Sequence, residues 1–381
     1  MRIVNDLRVG FNAYLLAAPS LRGWTRYTVN LLAALPAHGV RPVLYSRAPV
    51  HADHLARLPV DSYEVRSAPP MRYLWWENRW LPRQLRDDRI DVFHCPMNYG
   101  MPWTTPCPRV LTLHDAIDEL YYSPRMTRRA RWRPGAIRPR LANWAARRRA
   151  DAIITVSHHA KADIVRGLGV PAAKVSVIHE AADPHFHRPV SPTDIEAVRR
   201  SNGLHRPYFL YLGGWEGRKN IPFLLRGFAA APAPTVELVL AGGREPERSE
   251  LAALAATLGI AERVRFLGFV PDAELPALYA GALAFVYPSE YEGFGLQVCE
   301  AMAVGCPMLV ARATSLPEIA GAGGETFSLN DPTELPALLG CVAANTDYRA
   351  TLTARASARS PDFSWDRTAA ATAEVYRRAR R

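Results

Sequence analysis

The chain has 381 residues, 49% of them hydrophobic and 22% charged, and a net charge of +11. That balance excludes a disordered or fibrous protein and allows two full hydrophobic cores. Five cysteines without Cys-x-x-Cys spacing exclude a disulfide scaffold and fit a reducing cytoplasm, and no apolar run approaches the ~18 residues that cross a bilayer.

Strand-like runs alternate with helical ones, which predicts α/β layers built on parallel sheets. Ile3 to Phe11 is an indistinct first strand, and Asp6 and Asn12 spoil the mildly apolar Phe11 to Ala18 as a signal peptide. The loop from Ala18 to Tyr27 holds Gly23 at a helix entrance, between Arg22 and Trp24. It is either an ordinary connection or a place where backbone amides meet a phosphate. Strands follow at Arg41 to Ser46 and Tyr63 to Ser67, then a Trp-rich basic helix from Met71 to Arg89. Of the short buried strands Asp91 to Cys95 and Arg109 to Leu113, the second ends in His114-Asp115. That is the carboxyl end where α/β sheets bind ligands, and Asp115 is able to fix the tautomer of His114.

Residues 121–149 interleave ten arginines (Arg125, Arg128, Arg129, Arg131, Arg133, Arg138, Arg140, Arg147, Arg148, Arg149) with Tyr121, Tyr122, Trp132 and Trp144. Residues 1–190 hold 28 Lys+Arg against 15 Asp+Glu, and the remainder 19 against 21, so the first half favours an anionic partner. A solvated basic face, an anionic membrane surface, an acidic acceptor and nucleic acid all fit the charge. No nucleic-acid motif accompanies it, which favours the membrane surface. Strands at Asp151 to Ser157 and Lys174 to Ile178 close this half. Pro184 to Pro207 reads as a linker and sets the domain boundary.

The second half opens with strand Tyr208 to Leu212, then Gly213-Gly-Trp-Glu-Gly-Arg-Lys-Asn220 and a helix from Ile221. Cations at a helix start oppose its dipole, and a bound diphosphate would justify Arg218 and Lys219 there. Val236 to Gly242, Val264 to Phe269 and Leu283 to Tyr287 continue the sheet. After Pro288, Gly293 and Gly295 permit a tight loop before a helix from Gly295 to Val304. Glu292 and Glu300 bracket that turn, and a carboxylate suits a sugar diol. The alternative makes Gln297 and Glu300 a solvated helix stripe and Glu292 a cap. Leu316 to Ile319 reads as structural, and the last helix spans about Trp365 to Arg380.

Glu292-Gly-Phe-Gly-Leu-Gln-Val-Cys-Glu300-Ala-Met-Ala resembles the two-glutamate signature of retaining GT-B glycosyltransferases of family 4. The resemblance is continuous over both halves and strongest from Tyr208 to Glu318. It implies two Rossmann-like parallel-sheet domains facing across a cleft: residues 1–185 for the acceptor and 186–362 for the nucleotide sugar. A helix at 363–381 would cross back to the first domain. It assigns the ribose to Glu300, and the donor sugar to Glu292 with Gly293, Phe294, Gly295 and Leu296. Arg218 and Lys219 would grip the diphosphate, Gly23 would lie over it, and His114 (with Asp115) would touch the transferred sugar. The segment Gly268-Phe-Val-Pro-Asp272 would border the base.

The family often has Asn-Gly-Val where this chain has Glu180-Ala181-Ala182. Front-face attack is implied, in which the leaving phosphate takes the acceptor's proton. No two aspartates are two apart, so the magnesium motif Asp-x-Asp is missing from the sequence and the leaving group falls to cations and helix termini. The expectation is a metal-independent, cofactor-free hexosyltransferase using GDP-mannose, by similarity to polysaccharide mannosyltransferases. It would act on a glycan or lipid-linked acceptor at the inner face of the cell membrane, without a nucleic-acid partner. The alternatives are a non-catalytic sugar-nucleotide binder and a basic-patch nucleic-acid-binding protein.

Overall fold

A computed structural model describes residues 6–19, 23–127, 134–245 and 247–381, with residues 134–139 described by their backbone alone. Two compact units share the chain: Met1–Glu180 together with Ser364–Arg381, and Ala181–Phe363. Arg22, Arg128, Arg129, Arg131, Trp132, Arg133 and the start of the expected first strand lie outside the described residues, as does the side chain of Arg138.

In the first unit the apolar runs become seven parallel strands. They are β1 (Leu7–Asn12), β2 (Val40–Ser46), β3 (Glu64–Ser67), β4 (Val92–Cys95), β5 (Arg109–Thr112), β6 (Ala152–Thr155) and β7 (Val175–Val177), in the order β3-β2-β1-β4-β5-β6-β7. Strand β4 is buried along its whole length, as a parallel strand covered on both faces must be. The strand order reverses between β1 and β4, the switch point at which such sheets take ligands.

In the second unit β8 (Tyr208–Leu212), β9 (Glu237–Ala241), β10 (Val264–Gly268), β11 (Ala284–Tyr287), β12 (Met308–Ala311) and β13 (Glu325–Phe327) run in the order β10-β9-β8-β11-β12-β13. All pairs are again parallel, and the reversal falls between β8 and β11.

Two expected elements are corrected. The helix foreseen over Met71 to Arg89 is split into Tyr73–Trp75, a π-turn at Trp76–Trp80 and helix α1 (Leu81–Asp87). Pro82 has no N–H for the Asn78 carbonyl, and the chain widens there so that Leu81 N–H bonds Trp76 O instead. The linker foreseen over Pro184 to Pro207 contains helix α2 (Pro192–Ser201). Its start is a capping box: the Ser191 hydroxyl accepts from Asp194 N–H at 3.1 Å, and Asp194 Oδ2 accepts from Ser191 N–H at 3.1 Å.

The last helix, α3 (Trp365–Arg380), returns to the first unit as expected. Thr368 Oγ1 donates to His179 O at 2.7 Å, and Arg377 donates to His38 O at 2.8 Å. The fully buried Tyr376 hydroxyl meets His94 Nδ1 at 2.6 Å, while His94 Nε2 meets Thr112 Oγ1 at 2.8 Å. Burial pushes the His94 pKa down to about 3, so its imidazole stays neutral and needs both partners.

Replacing Tyr376 by Phe strands that nitrogen. Urea unfolding of the variant is expected to show a loss of about 1–3 kcal/mol. A loss below ~0.5 kcal/mol would mean that α3 merely rests on the surface.

Candidate active site

The second unit gathers its polar groups where β8 and β11 end, at the reversal of strand order. After β8 the chain passes Gly213 and forms a 3₁₀ turn, Gly217–Lys219, ahead of helix α4 (Ile221–Ala230). Asn220 sits between them in the left-handed region (φ 51°, ψ 40°), so Arg218 and Lys219 precede the helix and do not occupy its first turn. Lys219 is only 5% exposed. Its Nζ donates to Glu292 Oε1 at 2.6 Å and to the Tyr287 hydroxyl at 2.6 Å. Arg218 Nη1 reaches the same Glu292 oxygen at 2.8 Å and donates to Tyr291 O at 3.0 Å.

Two cations therefore converge on one carboxylate, and Glu216 adds a second negative charge near Lys219. Burial alone would raise the Glu292 pKa. The Lys219 and Arg218 charges outweigh that, so its carboxyl lies below the usual range. For Lys219, burial pulls the ammonium down against the opposing pull of Glu292.

The loop that carries Glu292 is clamped from both sides. Glu290 N–H donates to Arg218 O at 2.8 Å, and Glu292 N–H donates to Thr314 Oγ1 at 3.0 Å. The Ser315 hydroxyl is shared between the carbonyls of Glu292 (3.0 Å) and Phe294 (2.9 Å). Gly295 caps helix α5 (Leu296–Ala303) at φ 98°, and a Cβ there would lie 2.8 Å from Leu316. Gly293 and Phe294 are buried, and Leu296 is half-buried at the helix start. Glu300, 4% exposed, accepts from the Tyr279 hydroxyl at 3.0 Å, which rules out a solvated stripe.

In the first unit, His114 lies just past β5. Its backbone N–H donates to Asn98 Oδ1 at 2.9 Å. Its Nε2 faces Pro96 O at 3.1 Å, and its Nδ1 faces Glu180 Oε1 at 3.0 Å. A carbonyl only accepts, so Nε2 is the donor in its contact with Pro96 O. The Nδ1 contact to Glu180 lies in a site where both side chains are under 10% exposed. Glu180, and not the expected Asp115, fixes the ring. Adjacent side chains on extended backbone point to opposite faces, and Asp115 Oδ1 accepts from Ile117 N–H in the following turn.

Trp24 lies against the other face of His114 (centroids 5.7 Å, 23° between planes), and Tyr27 meets its edge at 4.8 Å. Trp24 opens helix α6 (Trp24–Ala34), whose N-cap Gly23 takes φ 47°, ψ −118°, a conformation that requires glycine.

Residues 194–356 match the family described as Glycosyl transferases group 1, and residues 21–186 match Glycosyltransferase Family 4. O-antigen chain mannosyltransferase B of Escherichia coli is 32% identical over 329 residues, spanning 85% of this chain and 81% of that protein. The chain belongs to the family 4 glycosyltransferases. The fold agrees with that of two solved structures. One is Anabaena HepE in complex with UDP and glucose: TM-score 0.73, 21% identity, covering 96% of this chain and 98% of that one. The other is WaaG, a glycosyltransferase involved in lipopolysaccharide biosynthesis: TM-score 0.75, 17% identity, covering 96% and 99%.

This glycosyltransferase thus brings Arg218, Lys219 and Glu292 into one cluster at the switch point of its second unit. Glu300 sits on the adjoining helix, and His114 sits at a strand end of the first unit. Sequence reading missed Tyr287, which completes the Lys219 environment and donates onward to Gln297 Oε1 at 3.2 Å. It also left Glu180 without a role. The signal was there, since Glu180 follows a strand's carboxyl end as His114 does.

The Glu292 carboxylate sets a pH dependence. A group with a depressed folded pKa contributes stability above its unfolded value, near 4.3, and loses it as pH falls through the folded one. The stability gap between the parent and Glu292→Gln is therefore expected to narrow below about pH 4. A gap that widens on acidification would overturn the assignment.

Proposed function

We propose that this glycosyltransferase moves a mannosyl residue from GDP-mannose to a glycan or lipid-linked acceptor, retaining the anomeric configuration and using no metal. The single observation behind this is the cluster of Lys219, Arg218 and Glu292. Lys219 and Arg218 set two cations where a leaving diphosphate would gain negative charge as the bond breaks. The E. coli relative named a mannosyltransferase supports the sugar, and HepE in complex with UDP and glucose supports a nucleotide donor.

In the proposed reaction the bond from C1 to the phosphate oxygen breaks and a bond from C1 to the acceptor oxygen forms on the same face. The acceptor's proton passes to the departing phosphate. Glu292 orients the sugar together with the amides of Gly293 to Leu296, and it faces the positive charge that develops on the ring. Glu300 takes the ribose hydroxyls. The Nε2–H of His114, shared with the Pro96 carbonyl, is the donor offered to a sugar hydroxyl. Gly23 lies by the diphosphate, and Asp115 by the sugar. The enzyme works as a peripheral protein on the cytoplasmic side of the cell membrane.

The test is a donor screen read by release of nucleoside diphosphate. GDP-mannose is expected to be the best donor, the product anomer should keep the donor's configuration by NMR, and EDTA should leave the rate unchanged. Lys219→Ala should lower the rate by about 10²–10³-fold. Turnover of GDP-mannose no faster than of the other donors would remove the donor assignment. A chelator-sensitive rate would remove metal independence.

A further inference from the structure

A groove of about 900 Å³ runs along the first unit between Met71 and Asp87. Four arginines, Arg72, Arg79, Arg83 and Arg86, line it against one acid, Asp87. Between the charges stand Trp75, 59% exposed, and Leu74, 61% exposed, at the entrance to a smaller adjoining hollow that adds Arg47. The π-turn at Trp76–Trp80 produces this alternation. It buries Trp76 and Glu77 in the core and leaves Trp75 and Arg79 outside, with the Arg79 guanidinium 5.7 Å from the Trp75 ring.

The same pairing recurs beside the groove. Trp103, 67% exposed, donates its backbone N–H to Asn78 Oδ1 at 2.9 Å and so adjoins the groove wall. Arg149 lies 4.8 Å over the Trp103 ring. On helix α7 (Pro134–Arg149) the adjacent Arg148 lies 5.0 Å over Trp144, one turn back, with Leu141 another turn away and 59% exposed. Arg147, between them, turns inward to Glu119 at 3.1 Å and is not part of this surface. These three guanidinium–indole pairs and the two exposed leucines are taken together as one belt.

We infer that this belt is the surface by which the enzyme lies on anionic phospholipid. Arginine matches lipid phosphate, indoles settle at headgroup depth, and exposed leucines reach the acyl region. Nucleic acid would use the arginines and indoles, but it gives the aliphatic tips of Leu74 and Leu141 nothing to bury. This rests on the membrane reading above and carries it from a stretch of sequence to a face of the fold.

The test is co-sedimentation of the intact protein with phosphatidylglycerol/phosphatidylcholine vesicles and with pure phosphatidylcholine vesicles at matched salt. Binding is expected only to the anionic vesicles, and it should weaken as ionic strength rises. The combined Arg72→Glu, Arg79→Glu, Arg83→Glu variant should bind at least tenfold more weakly. Trp75→Ala should also lose affinity, and Arg200→Glu, an exposed change on the other unit, should bind like the parent.

Thermal unfolding midpoints should match across the set. Should the combined variant fail to fold, quenching by brominated lipid decides. The parent's fluorescence should be quenched more than that of Trp75→Phe, and equal quenching would refute the belt. A parent that ignores anionic vesicles would overturn both the belt and the membrane reading. A combined variant that binds as well as the parent would overturn the belt alone. Stronger binding to a single-stranded oligonucleotide at equal phosphate concentration would overturn it in favour of nucleic acid.

Discussion

One glutamate oxygen holding two cations is the constraint on which the second unit's site depends. Ion pairs this deeply buried seldom add stability, because desolvation of each charge offsets the attraction, and well-packed apolar residues of similar size often do better. Lys219 and Glu292 therefore make sense as a functional arrangement. The surrounding backbone has the same logic. Asn220 takes a left-handed conformation to turn Lys219 inward, and the Glu290–Arg218 backbone bond ties the loop after β11 to the turn after β8. Their contact lies at the strand-order reversal, so topology and charge select one place.

Backbone closeness extends that place along the sheet. Gly242 N–H donates to Gly268 O at 2.6 Å, and a Cβ on Gly242 would run into the Gly213 carbonyl. Beside that contact the Trp215 ring packs against Gly243, so main chain and an indole meet at these strand ends.

The legible parts of this protein were those set by short-range rules. Buried parallel strands announce themselves as apolar runs, and β8 was placed to the residue. Glu292, Arg218 and Lys219 stood beside glycines after strands, where chain direction alone brings them to one edge. What escaped reading depended on partners far away in sequence. Tyr287 looked like the last residue of a buried strand, and only the fold shows its hydroxyl between Lys219 and Gln297. Glu180 lies 66 positions from His114, and Asp115, its neighbour, was the natural but mistaken partner. Helix α2 was different. The prolines around it read as a linker, and its Ser191–Asp194 capping box emerges only in the fold.

The excess charge of the first half resolves in the same way once partners are assigned. Arg8 and Arg66 meet Glu64, Arg66 also meets Asp88, and Arg147 meets Glu119, so these cations are neutralised within the fold. The arginines of the Met71–Asp87 groove face a single acid, Asp87, which Arg83 only reaches at 4.0 Å. A protein gains nothing in folding from a row of such charges, since like charges on one helix repel by a few tenths of a kcal/mol per pair. The exposed indoles beside them add a second cost in solubility. Two unfavourable features at one place on the fold are best explained by a partner that relieves both, and an anionic, partly apolar surface does so.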